Sequence, residues 1–405
     1  MDSILTNTVG LLVAAIVVAQ LARLLSLPYT VGLVIAGVAL AATRVGLTIA
    51  LTHDLVFDVI LPPLLFEAAI NLHWTELRRD LAPVLALAIL GTVVAALVVA
   101  GGLVWLLAWP VSGALIFGVL IAATDPVAVI AMFKDNRIGG RIRLLVESES
   151  LFNDGVAAVL FVIVLGWTQS MAGGAAPDTV SVPIKFVVTV GGGLAVGAVA
   201  GWLGIAIAGQ TTDRLIEAAL TAVVAYGSFL GAEKLGGSGV LATVIAGLVL
   251  GNRGIPSAGA ARGFSPANRD FVISLWEFIA FLANSLVFLL IGIAVAGIAL
   301  SPSVIGLMLV VNGLVLASRA VTVYPLCLPF MRTKRALAWR EQHVLWWGGL
   351  RGALGLALAL SLPPALPMRD SILVAAFGVV AFSVVAQGVT MPLLLRALGF
   401  QRGRG

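Results

Sequence analysis

Residues 81–124 read LAPVLALAILGTVVAALVVAGGLVWLLAWPVSGALIFGVLIAAT, without an acidic, basic or histidine side chain. The stretch divides near Trp109-Pro110 into two apolar runs, about 82–109 and 112–133, and neither alternates as a strand would. A helix of roughly 20 apolar residues is long enough to cross the hydrocarbon core of a bilayer. Only helices and closed barrels satisfy their backbone polar groups in lipid. A barrel needs segments of alternating hydrophobicity about ten residues long. The stretch therefore defines an all-α polytopic membrane protein.

The rest of the 405 residues agree. They are 60% hydrophobic and 11% charged, where soluble domains are about a quarter charged. Apolar runs fall at about 4–25, 29–50, 54–72, 82–109, 112–133, 144–168, 183–209, 214–234, 238–251, 270–298, 303–330, 342–363 and 371–396, predicting 13 transmembrane helices. Of the 24 Lys and Arg, 18 lie in alternate connections. Four (Arg44, Lys185, Lys234, Arg369) lie in the others, and two (Arg319, Arg351) lie inside runs. By the positive-inside rule this places the N-terminus outside and the C-terminus in the cytoplasm of a cell inner (plasma) membrane. Deleting the short ninth run would invert every later loop and destroy the pattern. The net charge of +5 is thus a topology signal and not a nucleic-acid footprint. No basic residue precedes the first run, so it reads as a helix and not as a cleaved signal. The single cysteine, Cys327, cannot form an intrachain disulfide. Short loops predict one integral membrane domain over 1–405, without a soluble tail domain.

An odd count suits two inverted six-helix repeats joined by an extra helix, a common plan in secondary transporters. Such a repeat relates the fifth run to the twelfth. Those two have the most irregular centres, Thr124-Asp125-Pro126 and Gly348-Gly349-Leu350-Arg351-Gly352. Pro removes a backbone donor and Gly loosens a helix, so both runs are predicted to be discontinuous helices crossing at the midplane.

A charge at the bilayer centre costs about 2.5–3.5 kcal/mol on insertion scales. Glu67, Asp125, Glu149, Asp154, Glu277, Arg319 and Arg351 therefore each need a partner or a purpose. Asp154 lies near the middle of the sixth run, four residues after Ser150 and on its helix face; Glu149 and Asn153 form a second such pair. Asp125 lies at similar depth, where Pro126 opens carbonyls around Thr124. Carboxylate, hydroxyl, amide and carbonyl oxygens are the ligands of a hard cation. Desolvation favours the neutral form of any buried carboxylate, so protons and cations compete for such a site, which is an antiporter in outline. Asp125 has a second reading, as the cap of a broken helix. Glu149 is expected to pair with Arg351, and Glu277 with Arg319, as buried scaffold pairs. Glu67, just after Pro62-Pro63, reads as a gate or supporting acid. His53, His73 and His343 sit at run ends without metal-ligand spacing and read as interfacial. Leu151-Phe152-Asn153-Asp154 departs from the Gly-x-Gly-Asp of intramembrane aspartyl proteases, and isolated acids suit exchange better than a channel's charged rings.

Ala123-Thr124-Asp125-Pro126-Val127-Ala128 and Glu149-Ser150-Leu151-Phe152-Asn153-Asp154-Gly155 resemble hallmark stretches of the monovalent cation:proton antiporter-1 family, the NhaP-type sodium/proton exchangers. So do Leu61-Pro62-Pro63-Leu64-Leu65-Phe66-Glu67, Trp276-Glu277-Phe278 through Phe288-Leu289-Leu290-Ile291-Gly292, Trp347-Gly348-Gly349-Leu350-Arg351-Gly352-Ala353 and Gln387-Gly388-Val389-Thr390. The resemblance spans nearly the whole chain in order. It implies that Asp154 carries cation and proton in turn, with Asp125, Thr124 and Ser150 completing the site. Glu67 would contribute directly or through water, Asn153 would steady the site, and Glu149 would hold Arg351. It further implies electroneutral sodium/proton exchange, since Asn153 stands where electrogenic relatives have a second Asp; potassium/proton exchange is the alternative. A homodimer is implied, with scaffold helices at about 4–72 and 214–298, core helices at about 82–168 and 303–396 and a linker at about 183–209. No enzyme activity, nucleotide or other cofactor is implied, and the metal ion is the transported monovalent cation.

Overall fold

The computed structural model describes residues 2–24, 28–42, 51–135, 138–172, 181–255 and 264–400. Every regular element among them is helical. In chain order the helices are α1 (Asp2–Leu24), α2 (Tyr29–Ala42), α3 (Leu61–Asn71), α4 (Trp74–Leu85), α5 (Thr92–Leu107), α6 (Val111–Leu120), α7 (Val127–Asp135), α8 (Arg141–Ala172) and α9 (Ser181–Ala208). They continue with α10 (Arg214–Lys234), α11 (Gly239–Val249), α12 (Arg269–Ala296), α13 (Pro302–Cys327), α14 (Trp339–Trp347), α15 (Ala353–Leu360), α16 (Arg369–Phe382) and α17 (Gly388–Ala397).

Seven helical stretches among the described residues are long and apolar enough to cross a membrane: Trp74–Leu107, Arg141–Ser170, Pro183–Ala208, Arg214–Lys234, Arg269–Ala296, Pro302–Phe330 and Arg369–Ala397. Shorter apolar helices stand at Val13–Ala22, Tyr29–Ala42, Val111–Leu120 and Gly239–Gly254. The expectation of thirteen rests on the charge pattern, and several of those runs are short or broken helices here. The second run, expected to reach 50, is helical to Ala42, and 43–50 lie outside the described residues. π-helical turns join α4 to α5 (Ala86–Gly91) and α16 to α17 (Ser383–Gln387). Such wide turns redirect side chains without ending a span.

The chain forms two compact units, 1–56 with 82–153 and 284–405, and 57–81 with 154–283. In the first unit α2 crosses α12 so closely that a Cβ on Gly37 would meet Gly292 Cα at 2.9 Å, an approach open only to glycine. The second unit is built around Trp276, which packs against Phe66 with ring centroids 4.6 Å apart and planes tilted by 49°, and donates from Nε1 to Thr221 Oγ1 at 2.8 Å. That contact fixes α3, the helix of Glu67, against α10 and α12.

Candidate cation site at two crossed helix breaks

Both predicted discontinuities are present in the first unit. α6 stops at Leu120 and α7 starts at Val127; α14 stops at Trp347 and α15 starts at Ala353. The two breaks touch, with Asp125 N–H donating to the Leu350 carbonyl at 2.7 Å. Asp125 itself accepts from Val127 N–H at 2.9 Å and from the backbone of Ala353. One carboxylate therefore caps two helix N-termini, α7 and α15, where the dipoles and free N–H groups favour an anion. A Cβ on Gly352 would run into this carboxylate, so glycine permits the approach.

Irregular backbone inside a membrane persists only if its polar groups are satisfied, and here side chains from α8, from the Ser383–Gln387 turn and from the second break itself satisfy it. Ser150, on α8, donates to the Thr124 carbonyl. Asn153, one turn on, takes Thr124 N–H on Oδ1 at 3.2 Å and donates from Nδ2 to Thr124 Oγ1 at 2.6 Å. Arg351 donates to the carbonyls of Ala122 and Ala123 at 2.6 and 3.1 Å. On the other break, Ser383 accepts from Arg351 N–H at 3.1 Å and Gln387 donates to the Trp347 carbonyl at 2.9 Å. Thr124, Glu149, Ser150, Asn153 and Arg351 are all buried.

The charge pairing differs from the sequence expectation. Glu149 pairs with Arg319, at 2.7 Å to Nη1 and 2.6 Å to Nη2, and not with Arg351. The physical reason lies in the breaks: Arg351 belongs to the non-helical segment 348–352, and its guanidinium faces the carbonyls that α6 leaves open. Arg319, the partner expected for Glu277, binds Glu149 within the first unit. Glu277 is exposed on α12.

The remaining candidates stand as follows. Asp154 follows Asn153 on α8 and is half-buried. Glu67 is half-buried on α3 in the second unit, where Asn71 Nδ2 donates to its Oε1 at 2.9 Å. The structure thus brings Thr124, Asp125, Ser150, Asn153, Glu149 and Arg351 together in the first unit, whereas Glu67, Asp154 and Glu277 belong to the second. Sequence reasoning assigned no role to Ser383 and missed Gln387 as a backbone donor. The signal was there: Ser383, Gln387 and Thr390 fall on one helix face inside an otherwise apolar run.

Thr124, Glu149, Ser150, Arg319 and Gly348, among others, line a tight crevice beside the break. Oxygen donors at crossed, capped half-helices define a secondary transporter of the broken-helix type. Residues 11–397 match the family described as sodium/hydrogen exchanger, transmembrane, and the chain belongs to that family. It is 42% identical over 377 residues to the Na(+)/H(+) antiporter ApNhaP of Aphanothece halophytica, covering 92% of this chain and 70% of that one. To the Na(+)/H(+) antiporter NhaP of Pseudomonas aeruginosa it is 36% identical over 348 residues, covering 84% of this chain and 80% of that one. The sodium proton antiporter MjNhaP1 from Methanocaldococcus jannaschii shares the fold, with a TM-score of 0.72 at 20% identity over 98% of this chain and 100% of that one.

Proposed function

We propose that the chain is a secondary active sodium/proton antiporter that exchanges one cation for one proton by alternating access, with Asp154 as the carrier. The observation that carries this reading is the neutral amide of Asn153, bonded to Thr124 on both its oxygen and its nitrogen. Asn153 adds no titrating group beside Asp154. The Asp125 carboxylate is engaged by two helix N-termini, which suits a fixed anion better than a shuttling proton. One titrating carboxylate exchanges one proton per cation, which is electroneutral. Ser150 and Thr124 supply oxygens of the kind sodium takes, and the relatives above are named Na(+)/H(+) antiporters.

In this reading Glu67 assists from α3, and the Glu149–Arg319 pair and Arg351 hold the breaks in shape. The protein works in the cell membrane as a homodimer, its N-terminus outside and its C-terminus cytoplasmic. Core helices at about 82–168 and 303–396 move against scaffold helices at about 4–72 and 214–298.

The test is proton flux in proteoliposomes with sodium, potassium and lithium supplied separately. Sodium is expected to drive proton movement in the wild type and none in Asp154→Asn. Undiminished exchange in that variant would remove Asp154 from its role. A membrane potential growing in proportion to sodium uptake would refute the one-for-one stoichiometry.

A further inference from the structure

His53 does more than mark the end of a run. Its ring Nδ1 lies 3.0 Å from the carbonyl oxygen of Ala357, 304 residues away in sequence and within the same compact unit. A carbonyl only accepts, so Nδ1 carries the hydrogen. Ala357 lies in the last turn of α15, and its carbonyl also accepts from Ser361 N–H at 3.0 Å. The opposite end of this eight-residue helix donates from Ala353 to Asp125. α15 is therefore held at both ends, by a carboxylate where its dipole is positive and by an imidazole where it is negative.

We propose that His53 is a positioning residue for the exchange, holding the last turn of α15 through the Ala357 carbonyl and so fixing the helix whose first turn meets Asp125. The N–H of the ring is favoured at the carbonyl end of a helix, where the dipole is negative. The neighbouring segment carries the exposed acids Asp54 and Asp58, and α15 and α6 carry no ionisable side chain. α16, packed on α15, begins with Arg369 and Asp370, and Arg369 Nε holds the Leu362 carbonyl at 2.9 Å. The chain also leaves the first compact unit for the second shortly after His53, at Val56. The anchor thus sits where the third run begins.

This inference rests on the antiport reading for its transport consequence alone. The experiment measures amide deuterium uptake of α15 in nanodiscs together with the sodium KM in proteoliposomes. His53→Phe is expected to exchange faster along α15 and to raise the sodium KM roughly three- to ten-fold, the size of one lost neutral hydrogen bond. His53→Asn keeps an N–H donor, so it restores the protection and the KM. Wild-type protection and KM in His53→Phe would overturn the proposal, as would a His53→Asn variant no better protected than His53→Phe. Should His53→Phe not fold, His53→Leu, which also lacks a donor, decides in its place. Deuterium uptake needs no transport, so failure of the antiport reading would leave this readout intact.

Discussion

Arg319 grips Glu149 with two N–H···O bonds, 2.7 and 2.6 Å long, while its Nε and Nη2 also reach the Leu345 carbonyl at 3.2 and 3.0 Å. One guanidinium thus ties α13 to α8 and to the end of α14. Both side chains are almost wholly buried, at 7% and 3% exposure. Removing one partner of such a pair strands the other charge and costs about 3–5 kcal/mol. Arg319→Ala is therefore expected to lower the thermal midpoint of the solubilised protein sharply. Arg319→Lys should recover part of the loss, since an ammonium cannot make the forked contact. A melting curve for Arg319→Ala that overlays the wild type would show that the pair contributes nothing.

Asn153 is read in the structure as a brace for Thr124, with a weaker contact to Glu149 Oε1 at 3.5 Å. Asn153→Ala leaves the Thr124 N–H buried without that acceptor, a loss of about 1–3 kcal/mol. Asn153→Asp keeps the acceptor but sets a carboxylate against Glu149, with Arg319 as the cation already engaged. Both variants are expected to melt lower than the wild type. Only Asn153→Asp should regain stability as pH falls, because protonation removes the repulsion. Melting measured across pH decides this, and parallel curves for the two variants would refute the account.

Much of this architecture was legible from residue chemistry. Pro126 and the Gly348–Gly352 cluster announced two breaks because each weakens helical hydrogen bonding, and Ser150 and Asn153 were picked out by helical spacing alone. The wrong step was pairing Glu149 with Arg351 on comparable depth. Depth along a helix says nothing about azimuth, and Arg351 sits on non-helical backbone, where the helical face argument fails. Ser383 and Gln387 escaped notice because a lone hydroxyl or amide in an apolar run costs little and calls for no explanation. Their purpose becomes visible only when the open carbonyls and N–H groups of the breaks are counted. The contact from His53 to Ala357 joins segments 304 residues apart, beyond the reach of any local pattern.

Glycine at 352 is demanded by proximity to Asp125. A methyl group there would push the carboxylate from its two N–H donors. Gly352→Ala is expected to abolish sodium-driven proton flux. Gly101, in the middle of α5, has open space around its would-be Cβ. Gly101→Ala should preserve transport and raise stability by about 0.5–1 kcal/mol through helix propensity. Paired flux and melting measurements on the two variants separate a steric requirement at the site from a general intolerance of glycine replacement. Full activity in Gly352→Ala would show that the break can relax around the added carbon.

Asp125 leaves two roles to be divided, since a carboxylate that caps two helices offers both an acceptor and a charge. Asn is as good an N-cap as Asp, so Asp125→Asn removes the charge while leaving an oxygen for Val127 N–H, whose bond is 2.9 Å in the wild type. Asp125→Ala removes both, and loss of a cap costs about 0.5–2 kcal/mol. If Asp125 served only as a cap, Asp125→Asn would transport normally. On the proposed antiport reading, the oxygen set around Thr124 and Ser150 would hold a cation only with a fixed negative charge nearby, and the α7 and α15 dipoles stabilise that charge where it stands. Asp125→Asn is therefore expected to melt below the wild type but above Asp125→Ala, since its single oxygen still serves one of the two N–H donors, yet to show no sodium-driven proton flux. Asp125→Ala should lose both stability and flux. Normal flux in Asp125→Asn would reduce the residue to its structural role and leave the cation to Asp154 alone.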